Sequence, residues 1–354
     1  MLLSIAISAR EALTDLMNLT VEEATTLTVQ VFTRHGMSPR CARMVAEHFV
    51  DAAQAGHEFA SLSRLPFLAK IMQGRPPAGE ISVLSETENS ALIDGCDNIG
   101  YAVSVVAIDK AIALCRKSGI AMVSARNTWA SGRLAYYVER AARQGFIGIH
   151  AVHGPARTAP HGGRDALLGT NPIAFAFPSE DDPVIIDMSM SAITYGGTAL
   201  AKAKGEKLRE GVAIDGEGRP TVDPAEALKG AFRTWGEHRG YGLSLAVQLL
   251  GMLSGSGPVV RDEHHYGLFF LVIDPQLVMP RDEYQSRVSE LRKTINASRP
   301  VPGVEQVRMP GDGSLEHRRR AREAGAAATI HVEDRKSTRL NSSHIPLSRM
   351  PSSA

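Results

Sequence analysis

The sequence predicts an α/β protein in which helical segments from both chain ends pack beside a central sheet domain. Three observations carry this. Apolar residues recur at helical spacing through the N-terminal portion, the texture then changes to short β-rich runs alternating with helices, and a long helical period returns toward the C-terminus. A chain of 354 residues with 44% hydrophobic content has ample material to fill such a core.

Taken in order, Thr20 opens a helix with Glu22 and Glu23 in its first turn, where carboxylates suit the helix dipole, and apolar positions continue through Val29, Val31 and Phe32. After the HGMSP break, residues 42–55 show a second amphipathic period. The loop-like GHEFASLSRLP follows, and then a third helix over 67–72. The run ISVLSETENSALIDG alternates in strand-like pieces, 103–117 is helical, and 120–126 is a strand ending before a turn. A helix over 134–144, a buried strand over 146–152 and two more strands in IAFAFP and VIID complete the α/β body. Residues 202–229 read as loop, punctuated by Gly211, Gly216, Gly218 and Pro220. A helix over 240–253, a strand over 268–273 and a long helix over 281–296 close the series. The expected division is 19–80 for the first part of a helical domain, 81–275 for the sheet domain and 276–333 for the second helical part. Residues 334–354, DRKSTRLNSSHIPLSRMPSSA, have no apolar period and resemble read-through of a sequencing-library adapter, so they are set apart as an artefact tail.

Basic and acidic residues number 39 and 38, so charge points to neither nucleic acid nor an anionic membrane as a partner. Cys41, Cys96 and Cys115 have no metal or redox spacing, which fits a reducing, cytoplasmic setting. No apolar stretch approaches the ~20 residues of a membrane helix, and the opening MLLSIAISAREA lacks the basic leader of a secretory signal. Dinucleotide folds of the Rossmann kind need GxGxxG between strand and helix, and the chain has none. P-loop, HExxH, GxSxG and EF-hand patterns are missing as well, and no metal is expected. Glycines cluster instead at HGGRD, LGTNP and EHRGYG, where backbone amides either hold phosphate or simply make tight turns.

From HGGRDALLGTNPIAFAFP and VIIDMSMSAITYG, the chain resembles the malate/L-lactate dehydrogenase family. RLP at 64–66, Arg126 with Asn127, AIDGEGRPTVDP, RGYGLSL and FFLVIDP continue the likeness in order, from about Leu19 to Arg322. The resemblance implies a non-Rossmann nucleotide-binding sheet domain beside a helical domain formed from both chain ends, in a homodimer. It also implies NAD or NADP as cofactor and hydride transfer between nicotinamide and a small-molecule 2-oxo or 2-hydroxy acid. Arg64 matches the arginine that grips the substrate carboxylate. Asp187, Met188, Ser189, Met190, Ser191, His238, Arg239, Gly311 and Asp312 match cofactor-binding positions, Arg239 standing where a lysine is usual.

The chain departs from the family at its proton donors. Phe59, Ala60 and Ser61 stand where the family has Ser-His-Gly, and Ala130 replaces the histidine of Asn-x-x-His-Phe-Gly. Alanine has no proton to give, so His57 and His161 are the candidate substitutes. A non-catalytic or strongly impaired nucleotide-binding homologue, and a cyclic imino acid reductase, stand as alternative readings.

Overall fold

The structure is a computed structural model describing residues 17–57, 60–324 and 329–332. The expected tail, 334–354, lies outside the described residues. Helix α1 (Val21–Arg34) begins at a complete capping box, in which the Thr20 hydroxyl accepts from the Glu23 amide and the Glu23 carboxylate accepts from the Thr20 amide. Helix α2 (Pro39–Gln54) starts behind a Ser38 cap with proline at its first position. A single 3-10 turn, Leu62–Arg64, runs directly into α3 (Leu65–Met72). These helices bury Phe32, Phe49, Leu62 and Leu68 against Tyr101 and Trp129, which belong to the neighbouring α/β layer.

Strands β2 (Ser82–Glu86), β3 (Ser90–Asp94), β4 (Ile120–Arg126), β5 (Ile147–His153), β6 (Ile173–Phe177), β7 (Val184–Met188) and β10 (Gly267–Ile273) form a mixed seven-stranded sheet of order β2-β3-β4-β10-β5-β6-β7. Only β3 and β4 run parallel; every other neighbouring pair is antiparallel. Helices α4 (Gly100–Ser118) and α5 (Ala135–Ala142) cover one face, where Val103, Ile108, Tyr137 and Val138 meet Ile93, Val123 and Phe270. Helix α8 (His238–Met252) covers the opposite face, burying Val247 with Phe269, Ile173 and Met190. Its outer side leaves Leu245, Leu249 and Leu253 exposed.

The long segment read as loop is more structured than expected. It contains the end of α6 (Tyr195–Lys204), capped by the Thr194 hydroxyl and closed by Gly205 at φ +67°, then β8 (Ala213–Ile214) and α7 (Pro224–Ala227). Strand β9 (Ala231–Phe232) follows and pairs with β8. Near the C-terminus, α9 (Arg281–Asn296) sends Arg292 to the Pro183 carbonyl at 2.9 Å in the β6–β7 turn, while α10 (Asp312–Ala324) packs on α2. Strand β11 (Thr329–Val332) pairs with β1 (Met17–Thr20), so the first and last described strands meet beside α1 and α2. Among the described residues, the three cysteines are free and no helix is long and apolar enough to cross a membrane.

Candidate active site

Two of the three matched cofactor segments, 187–191 and 238–239, meet at the end of β7, and the third approaches near its start. Asp187 accepts the Ala135 amide at 2.8 Å, so its carboxylate closes the first turn of α5. The Ser189 hydroxyl lies 2.8 Å from that of Ser191 and donates to the Thr170 carbonyl at 3.1 Å. Met188 ends the strand half-buried, whereas the Met190 side chain is fully buried under α8 and its backbone is taken up within the chain, the amide donating to the Thr170 carbonyl at 2.9 Å and the carbonyl accepting the Trp235 amide at 3.3 Å. Trp235 stitches this stretch to the start of α8, its indole donating to the Ser189 carbonyl at 2.7 Å. His238 and Arg239 follow as the first, exposed residues of α8, at the positive end of the helix dipole, where the Arg239 amide donates to the Gly236 carbonyl at 3.1 Å. Gly311 comes from the other side: a Cβ there would sit 3.0 Å from the Ile185 carbonyl of β7, and its φ of +91° suits glycine alone. Asp312 is spent locally, accepting from the Met309 amide and the Asn296 side chain, both at 3.1 Å.

The glycine clusters divide between two roles. LGTNP is structural: Asn171, at φ +42° and fully buried, donates to Gln248 at 2.9 Å and to the Ser244 carbonyl at 3.0 Å, locking β6 to α8. His161 of HGGRD is exposed and lies edge-on to His238, ring centres 6.2 Å apart, and so is brought to the cofactor-matched segments.

Arg64 is brought to a different wall. It ends the 3-10 turn half-buried, its guanidinium 5.1 Å from the Phe67 ring. At the start of α4, burial raises the Tyr101 hydroxyl above the usual phenol range, and the charge of Arg64 opposes that shift. Tyr101 is 1% exposed, with His48 edge-on at 4.7 Å and Phe49 at 5.5 Å. The loop carrying Ala130 folds over this pair: a Cβ on Gly132 would fall 2.8 Å from Tyr101 Cζ and 2.7 Å from His48 Nε2. The same loop continues to Ala135, whose amide Asp187 holds, so residues 130–135 run from Tyr101 and His48 to the end of β7.

His57 faces another way. Its Nε2 pairs with the Ser314 hydroxyl of α10 at 2.8 Å, and burial, reinforced by Arg133, Arg318 and His317, lowers its pKa to about 4. Burial likewise holds His48 well below the usual imidazole range, and its Nε2 accepts the Arg133 amide at 3.1 Å. Both rings are therefore neutral at physiological pH. Tyr101, His48 and Tyr266, whose hydroxyl donates to Glu263 at 2.8 Å, form surroundings that no motif announced. Their signal was bulk at positions that only the meeting of α2, α4 and the 127–134 loop brings together. Among the described residues there is no cluster of metal-ligating side chains.

A family model described as malate/L-lactate dehydrogenase matches residues 19–338. The chain belongs to the malate/L-lactate dehydrogenase family. It is 33% identical to the L-sulfolactate dehydrogenase of Methanocaldococcus jannaschii over 296 residues, covering 81% of this chain and 86% of that protein. The solved structure of the M. jannaschii sulfolactate dehydrogenase superposes with a TM-score of 0.79 over 90% of this chain and 94% of its own. The malate dehydrogenase of Pyrococcus horikoshii is 34% identical over 301 residues, or 80% of this chain and 84% of that one. The Δ1-piperideine-2-carboxylate reductase structure from Pseudomonas syringae, 27% identical, has a TM-score of 0.80 over 90% and 96% of the two chains. Membership in this family makes the chain an oxidoreductase of the dehydrogenase kind and implies a nicotinamide cofactor.

Proposed function

We propose that the protein is a cytoplasmic, homodimeric reductase that interconverts a 2-oxo acid and the corresponding 2-hydroxy acid with NADH or NADPH. One observation carries the reading: the cofactor-matched segments 187–191 and 238–239 are joined at the end of β7, where Asp187 also holds the loop over 130–135 that packs on Tyr101 and His48. The antiparallel pairing around β10 supports a nucleotide-binding sheet unlike the parallel Rossmann type.

The residues present fit a dinucleotide. The exposed first turn of α8, with Arg239 beside it, supplies amides and a cation for phosphate, and Gly311 lets backbone approach β7. When bound, the reduced nicotinamide supplies a hydride to C2 of the acid. Arg64 holds the substrate carboxylate through its planar fork, with the Phe67 ring against the guanidinium. The alanines at 60 and 130 favour a second reading, reduction of a cyclic imino acid, because an imine nitrogen arrives protonated and draws less on an enzyme acid.

The test is a screen of NADH and NADPH oxidation against 2-oxo acids with and without a second anionic group, together with a cyclic imino acid. Oxidation that depends on one of the 2-oxo acids is the expected result. Oxidation with the imine alone selects the second reading, and none with any acid contradicts both.

A further inference from the structure

We propose that the outer face of α8, together with the bare part of the sheet beside it, is the surface on which a second copy of this chain docks. The proposal rests on the homodimeric reading above and names the surface which that reading requires. Helix α8 is turned inside out for a helix that faces water. Its polar residues point inward, Ser244 and Gln248 being buried and bonded to Asn171, while Leu245, Leu249 and Leu253 recur every four residues on the outer side. Leu249 and Leu253 are each 55% exposed. No charged residue occurs from Gly240 to Gly257, and a helix that is apolar all round belongs in an interior.

The sheet repeats the pattern. Helices α4 and α5 cover the face that carries Val123 and Phe270, whereas α8 covers only part of the other face, over Ala151, Ile173 and Phe269. Beyond α8 that face continues as two apolar rows. Met122, Leu271, Ile149 and Phe175 are successive cross-strand partners from β4 to β6, and Ile120 with Ile273 begins the second row. Among the described elements, α9 reaches the β6–β7 turn and α10 lies on α2, which leaves Ile120 and Met122 exposed.

Area, charge and relief all favour a second copy as the occupant. The exposed side chains of α8 and β4 leave on the order of 400 Å² of apolar surface, and the half-buried rows raise this to about 800 Å², the share each partner gives to a stable dimer. Neither α8 beyond Arg239 nor the two rows carry a charge that would select a charged peptide or an anionic membrane. The relief is self-complementary: α8 is a ridge beside a bare trough, so a two-fold axis lays the ridge of each copy in the trough of the other.

The experiment is sedimentation velocity of the full chain, with Leu249→Glu placing a charge on the ridge and Met122→Glu one in the trough. Wild type should sediment as a dimer, and either variant should raise the dimer dissociation constant by roughly 10²-fold or more with its circular dichroism unchanged. A monomeric wild type, or variants that dimerise as tightly as wild type, would overturn the assignment. So would a monomer that pellets with phosphatidylcholine vesicles, or one whose α8 face binds a hydrophobic dye only after residues 1–16 are removed, since the occupant is then a membrane or the chain's own N-terminus.

If the charged variants fail to fold, hydrogen exchange on wild type decides. On dilution through dissociation, amides of 243–253 and 120–122 should lose protection together while those of α4 keep theirs. Protection of both segments that does not change with concentration contradicts the proposal. Failure of the reductase reading shows separately, as a wild type that oxidises neither nucleotide with any acid, and in that case sedimentation still decides the docking surface.

Discussion

His57 is a buried base whose protonation the fold resists. Its pKa in the folded state is about 4, against ~6.5 in an unfolded chain, so between these values the unfolded state binds more protons. The stability contributed by the neutral ring is complete above pH ~6.5 and is lost as pH falls toward 4. His150, stacked on Phe270 and lowered to about 3, and His153, lowered to about 4, act in the same direction. Replacing His57 with Gln should flatten the acid limb of stability by at most about 3 kcal/mol, read from urea unfolding at a series of pH values. An unchanged limb would show that His57 is not among the groups that titrate on unfolding. At this scale the sequence exposed Arg64, because a motif surrounds it, and exposed the two missing histidines. It did not expose Tyr101 or His48, which lie far apart in the chain and become neighbours only when α2 and α4 cross.

Helix α10 shows why some elements escaped a reading by pattern. Its DGSLEHRRRAREA is polar nearly all round, with no apolar stripe to mark it, and the helix is held to the body by a buried cation instead. Arg318 is 6% exposed and pairs with Glu139 of α5 at 2.6 Å and with Asp51 of α2 at 2.9 Å. Arg318→Met should lower stability by about 1.5–3 kcal/mol, because it removes one of two cations from each carboxylate, Glu139 keeping Arg143 and Asp51 keeping Arg133, and the added change Glu139→Leu should recover part of that loss in thermal melts. Additive losses would show that the two side chains do not interact. The opening of α8 has a tighter constraint, since a Cβ at Gly240 would overlap the Trp235 carbonyl. Gly240→Ala should cost about 1–3 kcal/mol of strain and weaken nucleotide binding measured by fluorescence. Full nucleotide affinity in that variant would remove the first turn of α8 from the site. By contrast α1 was legible, because its capping box and apolar period are local facts of the sequence.

At the scale of the whole molecule, composition and texture were enough for an α/β body with helical ends, but not for the order of strands. Strand β10 inserts between β4 and β5 from far along the chain, and that antiparallel placement follows from packing between α8 and the α4–α5 layer. The functional proposal sets the cofactor at the end of β7 and the substrate carboxylate on Arg64. The most direct test is steady-state oxidation of reduced nicotinamide nucleotide by wild type and Arg64→Ala, with a 2-oxo acid as acceptor and nucleotide binding measured in parallel. Arg64→Ala should lower kcat/KM by roughly 10–150-fold, the equivalent of about 1.5–3 kcal/mol, while nucleotide affinity is retained. Equal kcat/KM for the two proteins, or loss of nucleotide binding along with activity, would contradict it.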